Sequence, residues 1–202
     1  EKSEFSGHHI IRRNTIEACG ICGLAGAGAP ENLLVEDNTF RGCCWQDVER
    51  YFECAAIKFH LTRRALIRRN RIFDTKGGSG IWLDWEAQGT RVTGNVISDT
   101  EWSCLYLEVN HGPILVDNNV FMGGGIHQRS EGCVFVHNLF YSCPIDYSTH
   151  DDRQTPYYKP HTMEVEGKKS IDARDDTWLN NLFIGKGLDT MPEAPGYKAD
   201  FN

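Results

Sequence analysis

Val92-Thr-Gly-Asn95-Val-Ile97 is followed, 24 residues on, by Val116-Asp-Asn-Asn119-Val-Phe121. The pattern is apolar, two residues, Asn, any residue, then Ile or Phe. It recurs as Ile11-Arg-Arg-Asn14-Thr-Ile16, Val35-Glu-Asp-Asn38-Thr-Phe40, Ile67-Arg-Arg-Asn70-Arg-Ile72, Phe135-Val-His-Asn138-Leu-Phe140 and Trp178-Leu-Asn-Asn181-Leu-Phe183. The asparagines are spaced by 24, 32, 25, 24, 19 and 43 residues. A base period near 24 with insertions in two intervals marks a solenoid.

Between the asparagines lie short β-branched and aromatic runs broken by Gly, Asn and Asp, with no helical periodicity. A Leu-x-x-Leu-x-Leu frame is missing, and helical repeats are longer and poorer in glycine. The chain therefore reads as all-β, a right-handed parallel β-helix with one coil per repeat, spanning residues 1–202 as a single domain. Asn is expected at the left-handed turn of each coil and in a ladder of stacked side-chain amides. The Ile or Phe two residues later is expected to stack inward. Loops are expected near 45–53 and within 144–170, where the repeat is stretched. Repeat-like sequence runs up to both ends without a polar cap, as in a piece of a longer β-helix.

Outward from the repeat, two runs share one alternation, Ile81-Trp82-Leu83-Asp84-Trp85 and Leu105-Tyr106-Leu107-Glu108-Val109. Asp84 and Glu108 each precede a ladder asparagine by 11 residues, so they fall on consecutive rungs of one outward column. One rung earlier the column holds His60; counting 11 residues back from Asn138 adds His127. A parallel column reads Lys58, Trp82, Tyr106, Gly125, and Trp85 is expected to alternate inward. No Lys or Arg is expected in the acid column.

Adjacent rungs are about 4.7–4.9 Å apart. Retaining glycosidases hold two carboxyls about 5–5.5 Å apart, and inverting ones about 6.5–9.5 Å. Two like charges at such a spacing raise one of the two pKa values, which separates an acid from an anion. Two acids beside aromatic rings thus point to carbohydrate chemistry of the retaining type. Lys58 and His60 are candidates for substrate contact or ion pairing, and the second loop supplies Arg153, Lys159 and His161. Two readings compete: a polysaccharide lyase with Lys58, Arg129 or Arg153 as base, and a non-catalytic carbohydrate-binding β-helix.

The remaining features narrow the class. A net charge of -7 argues against nucleic acid, and no apolar run is long enough for a membrane. The eight cysteines follow no secreted framework, and Cys19-x-x-Cys22 with adjacent Cys43-Cys44 has poor zinc spacing. They are read as buried reduced thiols, which leans toward a cytoplasmic location, although the start EKSEFSGHH carries no targeting signal. Gly23-Leu-Ala-Gly26-Ala-Gly28 is read as a coil turn. No metal or cofactor is expected.

The phrases GIWLDWEAQGTRVTGN, LYLEVNHGPILVDNN, AAIKFH, TPYYKPHTMEV and DDTWLNNLF resemble the β-helix core of glycoside hydrolase family 120, over about Cys54 to Phe183. That family comprises retaining β-xylosidases that release xylose from xylo-oligosaccharides. The resemblance implies an oligosaccharide substrate, Asp84 as nucleophile and Glu108 as general acid and base. It also implies a β-sandwich region packed on the helix, which this sequence lacks, and it leaves a homo-oligomer open. Glu86 stands where an apolar residue such as Met is expected, and adds a third acid near the site. His60, Glu86, His111, Lys159 and His161 are further candidates for substrate binding, with Lys58, Trp82, Tyr106, His127 and Arg153.

Overall fold

The computed structural model describes residues 7–28, 31–47, 52–162 and 164–187, with the backbone of 198–200. The strands of the coil pair in parallel throughout and form three ribbons. One ribbon carries the apolar residue three before each ladder asparagine: Ile10–Arg12, Leu34–Glu36, Leu66–Arg68, Thr90–Thr93, the distal parts of Leu105–Asp117 and Ile126–Val136, then Thr177–Leu179. The second starts one residue after each asparagine, from Thr15–Glu17 to Leu182–Ile184. The third stacks Leu24–Gly26, Ala55–His60, Ser79–Asp84, the leading parts of Leu105–Asp117 and Ile126–Val136, and Ile145–Tyr147. Gly23–Gly28 thus contains a strand of this ribbon rather than only a turn.

The ladder is continuous. Each asparagine Nδ2 donates to the Oδ1 of the next, from Asn14 through Asn38, Asn70, Asn95, Asn119 and Asn138 to Asn181, at 3.0 Å each. Backbone N–H groups donate to the same oxygens, and Nδ2 also reaches back to a carbonyl such as that of Ile67. Asn is required because only its amide offers an acceptor and two donors in this compass. The expected left-handed turn, however, falls on the residue before it: Arg13, Asp37, Arg69, Gly94, Asn118, His137 and Asn180 have φ between 51° and 64°. A second left-handed column stands four after each asparagine, at Ala18, Gly42, Asp74, Asp99, Gly123, Ser142 and Gly185. These two bends bracket the short second ribbon and give each coil its corners.

Between them the core is a set of columns. Val35, Ile67, Val92, Val116, Phe135 and Trp178 are fully buried in one, and Phe40, Ile72, Ile97, Phe121 and Phe140 in another. Phe135 and Trp178 stack at 3.8 Å between ring centroids, and Phe140 stacks on Phe183 at 4.8 Å. All eight cysteines are free thiols; six are buried, and Cys19 and Cys22 are partly exposed. Among the described residues no helix is long and apolar enough to cross a membrane.

The two insertions behave differently. Residues 48–51 of the first lie outside the described residues. The second forms an antiparallel hairpin of His150–Tyr158 and Val165–Asp172. It lies back on the coil: Thr155 Oγ1 donates to Val109 O at 3.1 Å, and Tyr158 N donates to Gln88 Oε1 at 3.0 Å.

The ladder makes a prediction. Asn95→Ala removes two side-chain donors and the acceptor of Asn70's N and Nδ2 in a fully buried place. Each orphaned group costs about 1–3 kcal/mol, so the variant should lose on the order of 3 kcal/mol or more in urea unfolding. A loss below about 1 kcal/mol would show that the ladder contributes little.

Candidate active site

The third ribbon places His60, Asp84 and Glu108 in register on three consecutive rungs, each the last residue of its strand segment before a bend. The next residues, Leu61, Trp85 and Val109, all have left-handed φ, of 54°, 46° and 48°. This bend breaks the period of two, so Trp85 is exposed rather than inward and Glu86 is buried instead. The fourth rung also differs from the count along the sequence. Glu108 pairs with Arg129, and His127 pairs with Tyr106. Two one-residue irregularities, between Glu108 and His111 and between His111 and Ile114, absorb the shortened spacing before Asn138. Counting back from the asparagine therefore misplaces His127 and Gly125 by two residues, and a cation does stand in the acid column.

Asp84 is only 3% exposed. Its Oδ2 accepts from Lys58 Nζ at 3.0 Å and lies 3.4 Å from His60 Nδ1, while Oδ1 is buried with no hydrogen-bond partner. Burial first, and the charge of Glu108 second, push its pKa up to about 6 against the pull of Lys58 and His60. Glu108 is held on both oxygens. Trp82 Nε1 donates to Oε2 at 3.0 Å, and Arg153 Nη1, from the hairpin, donates to Oε1 at 2.6 Å.

The aromatic column is packed rather than open. Trp82 stacks on Tyr106 at 4.8 Å, Lys58 Nζ sits 3.1 Å above Trp82, and Trp102 meets Trp82, Tyr106 and His127 edge-on. Trp82 and Tyr106 are 4% and 8% exposed, so their faces are spent on neighbours and Trp82's polar edge orients Glu108. Trp102 gives no signal in the alternation because it lies in the turn before its rung. Burial lowers the His127 pKa, which favours the neutral ring.

Glu53, on the same flank, lies 2.9 Å from His60 Nε2 and 3.2 Å from Lys58 Nζ. Glu53, His60 and Asp84 present oxygen and nitrogen atoms close enough for a metal. The Lys58 ammonium bridges the two carboxylates and supplies the positive charge there.

The other candidates lie apart from the acids. His111 is buried and ties Glu131 to the hairpin, with Nδ1 at 2.8 Å from Glu131 Oε1 and Nε2 at 2.8 Å from Thr155 Oγ1. Lys159 and His161 line a separate cavity of about 500 Å³ with Arg63, Arg64, Gln88 and Tyr158. Glu86 is fully buried, both of its carboxyl oxygens lack hydrogen-bond partners, and burial pushes its pKa up to about 9.

The arrangement can perform a reaction that needs two carboxyl groups side by side. The fold that carries it is established by comparison. A model of the right handed beta helix region matches residues 3–143, so the chain belongs to the right-handed β-helix family. More particularly, it is similar to a solved structure titled "The complex structure of XylC with xylose", with a TM-score of 0.81 and 36% identity over 89% of this chain. The chain spans 28% of that protein's length. No curated protein matches the chain.

Glu86 makes a pH-dependent prediction. Its folded pKa of about 9 exceeds the ordinary 4.5, so the folded state holds the extra proton and stability falls as pH rises through that window. Relative to the parent, Glu86→Met should gain roughly 3 kcal/mol between pH 4.5 and pH 7 in urea unfolding. A gain that does not change with pH would refute this reading of Glu86.

Proposed function

We propose that the protein is a retaining glycoside hydrolase that releases xylose from β-xylosides or xylo-oligosaccharides, similar to family 120. The observation that carries this is the in-register stacking of Asp84 and Glu108 on adjacent rungs. Rung spacing of about 4.7–4.9 Å is close to the carboxyl separation of double-displacement enzymes and short of the room an inverting enzyme leaves for water. The likeness to XylC in its xylose complex supports the sugar class.

In the first step Glu108 donates its proton to the glycosidic oxygen as that bond to the anomeric carbon breaks. Asp84, as the carboxylate, forms the ester bond to that carbon. Lys58 and His60 fix the orientation of this carboxylate through Oδ2. In the second step Glu108 takes a proton from water, the water oxygen bonds the anomeric carbon, and the ester to Asp84 breaks. A lyase is less well supported: Lys58 and Arg153 are each held by carboxylates, and Arg129 pairs with Asp146 at 2.5 Å.

Two measurements test this. Proton NMR of fresh product from an aryl β-xyloside should show the β-anomer first; α-xylose would exclude double displacement. Asp84→Asn should abolish turnover, and Glu108→Gln should lower kcat/KM by about 10²–10⁴ for a poor leaving group, whereas a binding module would bind sugar without turnover in the parent.

The pH profile gives a further expectation. Asp84 must be ionised to attack, and its pKa is about 6, so kcat/KM should fall as pH drops through about 6. An acidic limb near pH 4 would contradict the buried, like-charged surroundings of Asp84.

A further inference from the structure

Arg153 reaches the acid pair from outside the coil. It stands 45 residues from Glu108 in sequence, on a hairpin strand whose backbone is pinned two residues later by Thr155. Its guanidinium is divided. Nε and Nη2 grip the two oxygens of Asp151 at 2.9 and 2.8 Å, and only Nη1 extends to Glu108. The backbone N–H of Arg153 also donates to Asp151 at 3.0 Å, so that carboxylate is a fixed seat. Arg153 is 41% exposed at its side chain and Glu108 13%, so the guanidinium covers the outer oxygen of a mostly buried acid.

Among the described residues, the groups facing Glu108 are few. Asp84 lies on the preceding rung and Arg129, paired with Asp146, on the following one. The Tyr106 hydroxyl is hydrogen-bonded to it from its own strand, and Trp82 donates to its other oxygen. Of these, Arg153 alone is mounted on the hairpin and has a second carboxylate already holding its other edge. The guanidinium donates a charge-assisted hydrogen bond to Oε1 and fixes its direction. It also stands where a leaving-group oxygen would have to meet the proton of Glu108 at that oxygen.

We propose, on the hydrolase reading above, that Arg153 is a positioning residue for Glu108. It holds the carboxylate aimed for the water-activating step through Oε1, and yields that oxygen to the leaving group in the proton-donating step, resting then on Asp151 alone. The two half-reactions thus pull on Arg153 in opposite directions. Leaving groups that need a proton compete with it; leaving groups that depart as anions do not.

The test compares xylobiose, whose leaving group needs protonation, with 4-nitrophenyl β-xyloside, whose leaving group does not. In Arg153→Gln the ratio of kcat/KM for xylobiose to that for the aryl xyloside should rise about tenfold, a fraction of the 10²–10⁴ range of acid-base catalysis. The aryl xyloside's kcat should fall, with a pre-steady-state burst showing that ester breakdown is slowed. Asp151→Asn should move the ratio the other way, because Arg153 loses its alternative seat. Arg153→Lys should lie between parent and Gln. A role in holding the hairpin together would lower both substrates by the same factor in both variants, and that outcome, or a ratio unchanged within twofold, overturns the proposal. A parent that turns over neither substrate overturns the hydrolase reading itself; a parent active on both, with the ratio unmoved in Arg153→Gln, overturns the role of Arg153 alone.

Discussion

One side-chain amide per coil decides how each coil stacks on the next. Each ladder asparagine joins two neighbouring coils through its own Nδ2, through its Oδ1 and through a backbone N–H directed at that oxygen. These bonds lie in buried surroundings, where an unmade partner is costly, so a coil cannot slide against its neighbour without losing several at once. The ladder thereby sets the register of everything else on the coil, including the acids.

That register is why Asp84 and Glu108 meet. Neither acid is drawn to the other; like charges on neighbouring strands repel. They are held together because the ladder and the stacked core fix the strands, and the local cost is met by Lys58 and His60 on one side and Arg153 with Trp82 on the other. The left-handed residue after each acid ends the strand there, which turns the chain away and leaves the column at a corner of the coil. A corner is also where the hairpin can lean on the coil and place a guanidinium beside Glu108.

Glu86 belongs to the same geometry. The bend at Trp85 reverses the expected alternation, putting an indole in solvent and a carboxyl in the interior, where both oxygens lack hydrogen-bond partners. The charges that act on it are those of Arg63, Glu131 and Lys169. The extra acid thus bears on stability through its burial.

By itself the sequence determined the solenoid, the inward columns and the adjacency of His60, Asp84 and Glu108, because a repeat with one ladder residue per coil converts spacing into position. Where the spacing between asparagines changes, that conversion needs to know where the missing residues fall. Two irregularities after Glu108 shift His127 beside Tyr106 and bring Arg129 into the acid column, and no count from Asn138 could locate them. The left-handed bend at Trp85 is equally hidden, since a bulky aromatic gives no hint of positive φ. Arg153 is visible as a loop cation, but its seat on Glu108 depends on how a hairpin folds back over 45 residues of chain. Local repetition sets a column; only tertiary packing decides what leans against it.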